Sequence, residues 1–202
     1  MIAIVDYGMG NLRSVAKALE RFGYPCTVTA DPHCIAHAKG VILPGVGAFG
    51  EAAFNLRQSG LVDEVMRAAK DGRPFLGICL GYQLLFEESE EAPGVPGLGI
   101  FPGRVKRFAH GLKIPHMGWN SVEFNGKHPI TTGQKQPAWF YFVHSYYVEP
   151  ADQSLVVGRS EYGIPFAAAI ASGNLFACQF HPEKSQSAGL SLIKRFGELS
   201  CV

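Results

Sequence analysis

A cysteine stands between two glycines near the middle of the chain, where residues 77–81 read Gly-Ile-Cys-Leu-Gly. The apolar run 74–78 leads into it, and residues 82–86 favour a helix after it. This order of strand, tight turn and helix is typical of a nucleophile elbow, in which the turn presents a reactive side chain. The glycines allow the strand and the helix to approach each other closely. The pattern therefore predicts that Cys79 is a nucleophile.

A cysteine nucleophile needs a base and a group that orients the base. Cysteine attacks as the thiolate, and a helix N-terminus contributes only about 0.3–1 kcal/mol to a nearby negative charge, so a protonated histidine must add more. Among the seven histidines, His181 follows the apolar run 175–180 and precedes Pro182 and Glu183. Side chains two apart on an extended segment point the same way, so Glu183 would orient the imidazole. We predict a triad of Cys79, His181 and Glu183.

Acyl transfer also needs two donors aimed at the oxygen of the tetrahedral intermediate. The backbone N–H of Leu80, the residue after the nucleophile, is the first candidate. The second is the N–H of Val46, in the loop 44–47 (Pro-Gly-Val-Gly) that follows another predicted strand. Gln83 lies one helical turn after Cys79, and its amide suits a substrate that carries an amide.

Simpler interpretations of these residues stay open. Cys79 could be a small buried hydrophobic residue, the loop 44–47 an ordinary turn, and Gln83 one polar residue on an amphipathic helix. The spacing of residues 33–37 (His-Cys-Ile-Ala-His) could suit a metal, but no carboxylate or further ligand follows. The sequence identifies no partner for four further histidines: His110, His116, His128 and His144.

Hydrophobic periodicity predicts the elements that position these residues. In the first half, predicted strands at 2–5, 26–29, 41–43 and 74–78 alternate with predicted helices at 12–22, from the 44–47 loop to about 69 with a break near 60, and at 82–86. Such alternation favours a mostly parallel sheet flanked by helices. The second half predicts an added antiparallel region with strands at 119–124, 138–148, 155–160, 166–171 and 175–180, and a last helix at 187–199. Residues 93–103 are interpreted as a loop, and Arg104, Lys106 and Arg107 as a solvated basic face. We expect one α/β domain over 1–202.

Composition narrows the function class. The 202 residues are 47% hydrophobic and 17% charged, with a formal net charge of +1. Such a balance gives no long-range attraction to nucleic acid or acidic membranes, and we expect neither as a partner. The apolar start is too short for a signal peptide, and no run reaches the roughly 20 residues of a membrane span. Five scattered cysteines without a Cys-x-x-Cys pair favour a cytoplasmic protein with reduced thiols, and we expect no metal or cofactor.

The motifs at 77–83 and 181–183 resemble those of the class I, or triad, glutamine amidotransferases. Within this family, the stretches 6–12, 44–49, 116–120 and 181–185 are similar to the glutaminase subunits of imidazole glycerol phosphate synthases, which act in histidine biosynthesis. The resemblance covers essentially the whole chain and implies the flavodoxin-like fold of the family. Tyr82 stands where the resemblance implies a methionine; we expect a change in packing and none in chemistry.

The resemblance implies that Cys79 attacks the amide carbon of L-glutamine, that His181 protonates the departing ammonia, and that water then cleaves the thioester. It implies a heterodimer with a (β/α)8-barrel cyclase, which uses the ammonia to make imidazole glycerol phosphate and aminoimidazole carboxamide ribotide. We also predict that the 45–47 hinge completes the oxyanion hole only when the cyclase docks. The implied substrate contacts are Gly47, Gln83, Glu91, Ser145 and Tyr146. The implied interface residues are Asn11, Trp119 and Lys184.

Three alternatives remain at this stage. The chain could be a glutaminase for another pathway, such as pyridoxal phosphate, anthranilate or guanylate synthesis. It could be a cysteine peptidase or a redox-sensing protein on a similar sheet, although Gln83 and the Val46 loop favour glutamine. It could also be a catalytically inactive, flavodoxin-like binding module. The only signal for nucleotide binding is the Gly-Met-Gly of residues 8–10, which lacks the third glycine of a dinucleotide fingerprint.

Overall fold

The computed structural model describes residues 1–109 and 111–201. In these ranges twelve strands join into one branched sheet: β1 (Ile2–Val5), β2 (Cys26–Thr29), β3 (Gly40–Leu43), β4 (Phe75–Ile78), β5 (Glu88–Ser89), β6 (Gly103–Arg107), β7 (His116–Phe124), β8 (Ala138–His144), β9 (Tyr146–Pro150), β10 (Val156–Glu161), β11 (Pro165–Ser172) and β12 (Leu175–Cys178). The α-helices are α1 (Leu12–Glu20), α2 (Pro32–Ala36), α3 (Phe49–Gln58), α4 (Val62–Lys70), α5 (Leu80–Gln83) and α6 (Gln186–Ser200). None of the helices in the described ranges has the length and apolarity to cross a bilayer.

Five strands form a parallel core in the order β2-β1-β3-β4-β12, which is the flavodoxin-like order. The strands β1, β3, β4 and β12 are buried along their whole length, as continuous apolar runs predict. Alternate side chains of each strand enter two different apolar clusters. Helices α3 and α4 contribute to the cluster on one face, and α1 and α6 contribute to the cluster on the other.

The antiparallel addition begins at β11, which pairs with β12. From β11 one antiparallel branch continues through β10 and β7 to β8, and a second continues through β9 to β6, which pairs in parallel with the short β5. The predicted class, a mostly parallel α/β sheet with an added antiparallel region, is therefore confirmed.

Two predicted elements divide in the structure. The helix predicted between the 44–47 loop and residue 69 breaks near Gly60, whose φ is +72°, into α3 and α4. The single strand predicted at 138–148 is wrong, because the chain changes partners at Ser145. Strand β8 pairs with β7 before this residue, and β9 pairs with β6 and β11 after it.

The helix predicted at 82–86 is also wrong in extent, since α5 ends at Gln83. The carbonyls of Leu84 and Leu85 instead accept hydrogen bonds from the N–H groups of Leu98 and Ile100, at 2.8 and 2.9 Å. The loop 93–103 thus takes the acceptors that a longer helix would use.

Three elements had no prediction: α2, β5 and β6. Arg104, Lys106 and Arg107 lie on β6, where the two arginines are exposed and the lysine is half-buried, in agreement with a solvated basic face. Arg104 and Lys106 each pair there with Glu149 of β9 at 3.3 Å.

The loops that carry the predicted chemistry all leave the carboxyl ends of the parallel strands. Residues 6–11 follow β1, the 44–48 loop follows β3, Cys79 follows β4, and residues 179–181 follow β12. In open α/β sheets, ligands bind at the carboxyl ends of the strands, next to the point where the strand order reverses. Here the order reverses between the neighbouring strands β1 and β3.

Candidate active site

The elbow at Cys79 has the strained geometry expected of a nucleophile. Cys79 has φ +54° and ψ −108°, a backbone conformation that residues other than glycine rarely adopt. Its N–H donates to the Cys178 carbonyl at 2.8 Å, and its carbonyl accepts from Gln83 N at 3.2 Å. A side chain at Gly81 would overlap the carbonyl of Leu43, which explains the second glycine of the motif.

His181 and Glu183 form a buried pair. The His181 Nδ1 lies 2.9 Å from the Glu183 Oε1, and both side chains are at most 2% exposed. The predicted reason for their proximity is wrong, however. Strand β12 ends at Cys178, and His181 precedes a 3₁₀ turn, Pro182–Lys184, so that a turn rather than an extended segment brings the carboxylate under the imidazole.

The charge on His181 depends on its two neighbours. Burial lowers the pKa of His181, but the Cys79 thiol and the Glu183 carboxylate outweigh burial and raise it to about 10. The Nε2 atom of His181 is buried and has no hydrogen-bond partner among the described residues. The second nitrogen thus remains available for proton transfer in the cavity that His181 shares with Cys79.

A cavity of about 280 Å³ gathers nearly all the predicted site residues. Among the predicted catalytic, oxyanion-hole and substrate-contact residues, only Glu183 does not line the cavity. It lies behind His181 and contacts it. The lining consists of Val46, Gly47, Cys79, Leu80, Gln83, Glu91, Pro115, Val143, His144, Ser145, Tyr146 and His181. The volume suits a small molecule such as a free amino acid.

The oxyanion hole is not open in this conformation. The Leu80 N–H, expected to be a free donor, donates to the Gly45 carbonyl at 3.3 Å. Gly45 fits because it has no side chain: a Cβ there would lie 2.7 Å from Tyr7 Oη and 2.8 Å from the Gly81 nitrogen. Because the neighbouring Gly47 has φ +95°, the loop passes through a backbone conformation that glycine tolerates well. The peptide that follows Gly45 thus blocks the donor with its oxygen.

Gln83 differs from its predicted role in one respect. Its Nε2 donates to the Tyr146 carbonyl at 3.2 Å and to the Gln179 Oε1 at 2.9 Å, so both amide hydrogens are used inside the protein. Only the amide oxygen of Gln83 is left to contact a ligand. Glu91 reaches the cavity, and its Oε2 accepts from Phe49 N at 2.8 Å.

Two functional candidates escaped the sequence analysis, Gln179 and His144. Gln179 is fully buried, and its Nε2 donates to the Cys79 sulfur at 3.7 Å. It lies two residues before His181, a spacing that could have revealed it. His144 faces His116 across β7 and β8, with 2.9 Å between Nε2 of His144 and Nδ1 of His116.

The His116–His144 contact depends on strand register, which the sequence left undefined. His110, which the sequence left without a partner, lies outside the described residues.

Of the three predicted interface residues, two are exposed at the surface and one is half-buried. Trp119 is 45% exposed, and it shares one face of the β7–β8 pair with Met117 and Trp139, which are 63% and 55% exposed. Exposed aromatic side chains in a contiguous patch are typical of protein interfaces. Asn11 is half-buried before α1, and Lys184 is exposed in the turn after His181.

Comparison with known proteins decides the family. Residues 3–198 match the family described as glutamine amidotransferase class-I. The chain belongs to this family. Solved structures share the fold: one crystal structure of a glutamine amidotransferase has a TM-score of 0.77 at 24% identity and covers 100% of both chains. A structure of PurLQS from Thermotoga maritima has a TM-score of 0.76 at 21% identity and covers 96% of each chain.

Curated relatives among the class I glutamine amidotransferases are much closer in sequence. A protein of Moorella thermoacetica named imidazole glycerol phosphate synthase subunit HisH is 57% identical over 198 residues, which cover 98% of this chain and 94% of the relative. A protein of Acinetobacter baylyi with the same name is 52% identical, with 98% and 97% covered. These matches extend over the elbow, the His181–Glu183 pair and the β7–β8 surface alike.

Proposed function

We propose that this chain is the glutaminase subunit of an imidazole glycerol phosphate synthase, acting in the cytoplasm as one domain. It hydrolyses L-glutamine to glutamate and ammonia. The ammonia passes to a (β/α)8-barrel cyclase subunit, which makes imidazole glycerol phosphate and aminoimidazole carboxamide ribotide. The observation that carries the proposal is the strained Cys79 in one cavity with a buried, Glu183-paired His181, within a chain 57% identical to a subunit of that synthase.

The two steps of hydrolysis follow from the positions of these groups. The Cys79 thiolate attacks the amide carbon, the C–N bond breaks, and His181 delivers its Nε2 proton to the departing ammonia. Neutral His181 then takes a proton from water as the water attacks the thioester carbon, which returns the thiolate and releases glutamate. Glu183 stabilises the imidazolium that is present before the first step and forms again in the second, because its Oε1 lies 2.9 Å from Nδ1.

The closed oxyanion hole supports control of this reaction by the partner. While the Gly45 carbonyl accepts from Leu80 N–H, that donor is lost to the intermediate, and one lost donor costs about 10²–10³-fold in rate. Docking of the cyclase would turn the peptide between Gly45 and Val46, so that Val46 N–H replaces the carbonyl and both donors meet the oxyanion. An uncoupled subunit would then waste little glutamine.

The partner is proposed to dock on the surface of Met117, Trp119 and Trp139, with Asn11 and Lys184 at its margin. This surface carries large exposed apolar side chains on adjacent strands, and β7 and β8 also supply His144 and Val143 to the cavity wall. The same two strands thus connect the docking face with the substrate.

A glutamine-to-ammonia assay tests the function. We expect ammonia release by the wild type to rise when the cyclase and its nucleotide ligand are added. With both present, we expect at least a ~10³-fold loss for Cys79→Ser, since only binding and oxyanion effects remain without the nucleophile. Equal turnover with and without the cyclase would contradict control by the partner, and full activity of Cys79→Ser would contradict the proposed chemistry.

A further inference from the structure

The Cys79 sulfur has a polar neighbour that the triad does not include. Gln179 lies in the segment between β12 and His181, is 0% exposed, and directs its amide at the thiol with a distance of 3.7 Å from Nε2 to Sγ. A buried amide contributes nothing to the apolar core and is costly unless its groups are paired. Its position therefore calls for a role at the sulfur.

The orientation of the Gln179 amide is fixed by a chain of hydrogen bonds that starts at a backbone carbonyl. The Tyr146 oxygen can only accept, so the Gln83 atom beside it must be the NH₂ group. That same NH₂ group lies 2.9 Å from Gln179, which must therefore present its oxygen there. The remaining NH₂ group of Gln179 is left to face Cys79, and a flip of either amide would place two donors or two acceptors together.

The Tyr146 carbonyl also fixes the neighbouring histidines. It accepts from the Nδ1–H of His144 at 2.8 Å, so Nε2 of neutral His144 is an acceptor and accepts a hydrogen bond from Nδ1–H of His116 at 2.9 Å. The His116 Nε2 then accepts from Asn120 Nδ2 at 3.2 Å. One carbonyl thus holds both amides and both imidazoles in single orientations, and the whole network is set before substrate arrives.

We propose that Gln179 is a further catalytic residue, whose amide N–H donates to the Cys79 thiolate and whose orientation is held by Gln83. The inference rests on the proposed role of Cys79 as the nucleophile. The need for such a donor follows from the short α5: with only four helical residues, the backbone offers little charge stabilisation to the sulfur. The Gln179 N–H stabilises the thiolate before it attacks. It lies beside the same sulfur when the thioester is cleaved and the thiolate forms again.

Apart from the carboxyl that Gln179→Glu adds, the titratable groups around the sulfur are the same in every variant proposed below. They are His181, with Glu183 behind it, Tyr7 after β1, and Cys178 at the end of β12. Burial and the neighbouring Cys79 raise the pKa of Tyr7, and burial, Glu183 and Cys79 raise the pKa of Cys178. Both therefore stay neutral near pH 7, and a change in thiolate formation reports the amide.

The test measures the rate at which iodoacetamide alkylates Cys79 as a function of pH, read by mass spectrometry of the Cys79 peptide. In Gln179→Met we expect alkylation near neutral pH to be about tenfold slower, with the profile displaced to higher pH by about one unit, because a hydrogen bond to a charged sulfur is lost. Gln179→Glu keeps the shape of the side chain but turns an oxygen toward the sulfur, so we expect a displacement at least as large. The matched control is Gln153→Met, an exposed glutamine whose Nε2 donates to the Pro150 carbonyl.

A folded Gln179 variant with the wild-type profile would overturn the inference, and displacement in both variants but not in the control supports it. If neither Gln179 variant folds, Gln83→Met decides, since it leaves Gln179 in place but frees its amide to turn. A profile displaced to higher pH then supports the inference, and an unchanged one overturns it. The exposed Cys201 in the same sample separates the two proposals. Were wild-type Cys79 no more reactive at low pH than Cys201, the proposed nucleophile itself would be wrong.

Discussion

At the scale of single residues, the site depends on one unusual backbone conformation and one buried ion pair. Cys79 is held at φ +54°, and such conformations cost on the order of 1–3 kcal/mol unless the surroundings impose them. The hydrogen bond from its N–H to Cys178 and the close approach of Gly81 to Leu43 impose it here. His181 is in turn held by Glu183, with its second nitrogen unused. The strained Cys79 and the second nitrogen of His181 are both positioned to react with a substrate.

Removal of the Glu183 charge should affect turnover more than folding. In Glu183→Gln the size is kept, but the pKa of His181 falls because one of the two groups that raise it is gone. We expect kcat for ammonia release to fall about 10²-fold or more, since the imidazolium that protonates ammonia is no longer stabilised. The control is Glu198→Gln, an exposed carboxylate of α6 paired with Lys194 and Arg195. An unchanged kcat in Glu183→Gln would remove the carboxylate from the mechanism.

At the scale of elements, the β7–β8 pair joins the proposed docking face to the cavity wall. Register brings His116 opposite His144, and both imidazoles are buried between aromatic rings. Burial lowers the pKa of His116 to about 4 and that of His144 to about 3, so both are neutral at pH 7. The neutral forms are the ones that the hydrogen bonds between them require.

This pair should make the protein sensitive to acid. At His116 and His144 the unfolded chain binds protons near pH 6.5, whereas the folded chain binds them only near pH 3–4. The stability that the neutral pair provides is therefore present above pH 6.5 and lost as pH falls toward 4. In His116→Gln we expect the free energy of unfolding to fall less steeply over this range, whatever its value at pH 7. Urea titrations at several pH values measure the slope. An unchanged slope would mean that the pKa of His116 is the same in the folded and the unfolded chain, which would contradict the lowered value.

Hydrophobic pattern was sufficient to predict most of the elements but not α2, β5 or β6, and contacts between distant segments were not predictable. A continuous apolar run identified β1 with its observed bounds, because burial on both faces leaves a clear signal. The end strand β2 also has its predicted bounds, although Thr27 and Val28 are exposed. The end of α5 escaped, since it is set by hydrogen bonds from the segment 97–101. The hydrogen bond from the Leu80 N–H to the Gly45 carbonyl and the contact between Gln83 and Gln179 were not predictable for the same reason, because each joins separate segments of the chain.

At the scale of the whole molecule, the proposed subunit is organised around one edge. The parallel strands deliver Cys79 and His181 to that edge, the antiparallel addition contributes Ser145 and Tyr146, and the exposed apolar face lies on the outer strands of that addition. This layout makes the free subunit incomplete in two ways: a large apolar surface is uncovered, and the oxyanion donor is blocked. Both are proposed to be resolved by the same partner.

The docking surface can be tested without disturbing the cavity. In Trp119→Ala we expect cyclase binding to weaken by about 2 kcal/mol, roughly 30-fold in Kd, as for a central aromatic residue of an interface. Alkylation of Cys79 should stay as in the wild type. Phe54→Ala is the matched control, because Phe54 is 60% exposed on α3, on a different element. Equal losses of affinity in both variants would argue against a defined docking face on β7 and β8.

The most direct test of the proposed chemistry is detection of the covalent intermediate. The complex with the cyclase and its ligand is mixed with isotopically labelled glutamine, quenched in acid, and digested for mass spectrometry. We predict a glutamyl group as a thioester on the peptide that contains Cys79, and none in Cys79→Ser. Rapid ammonia release without label on Cys79, or with label on another cysteine, would contradict the assignment of the nucleophile.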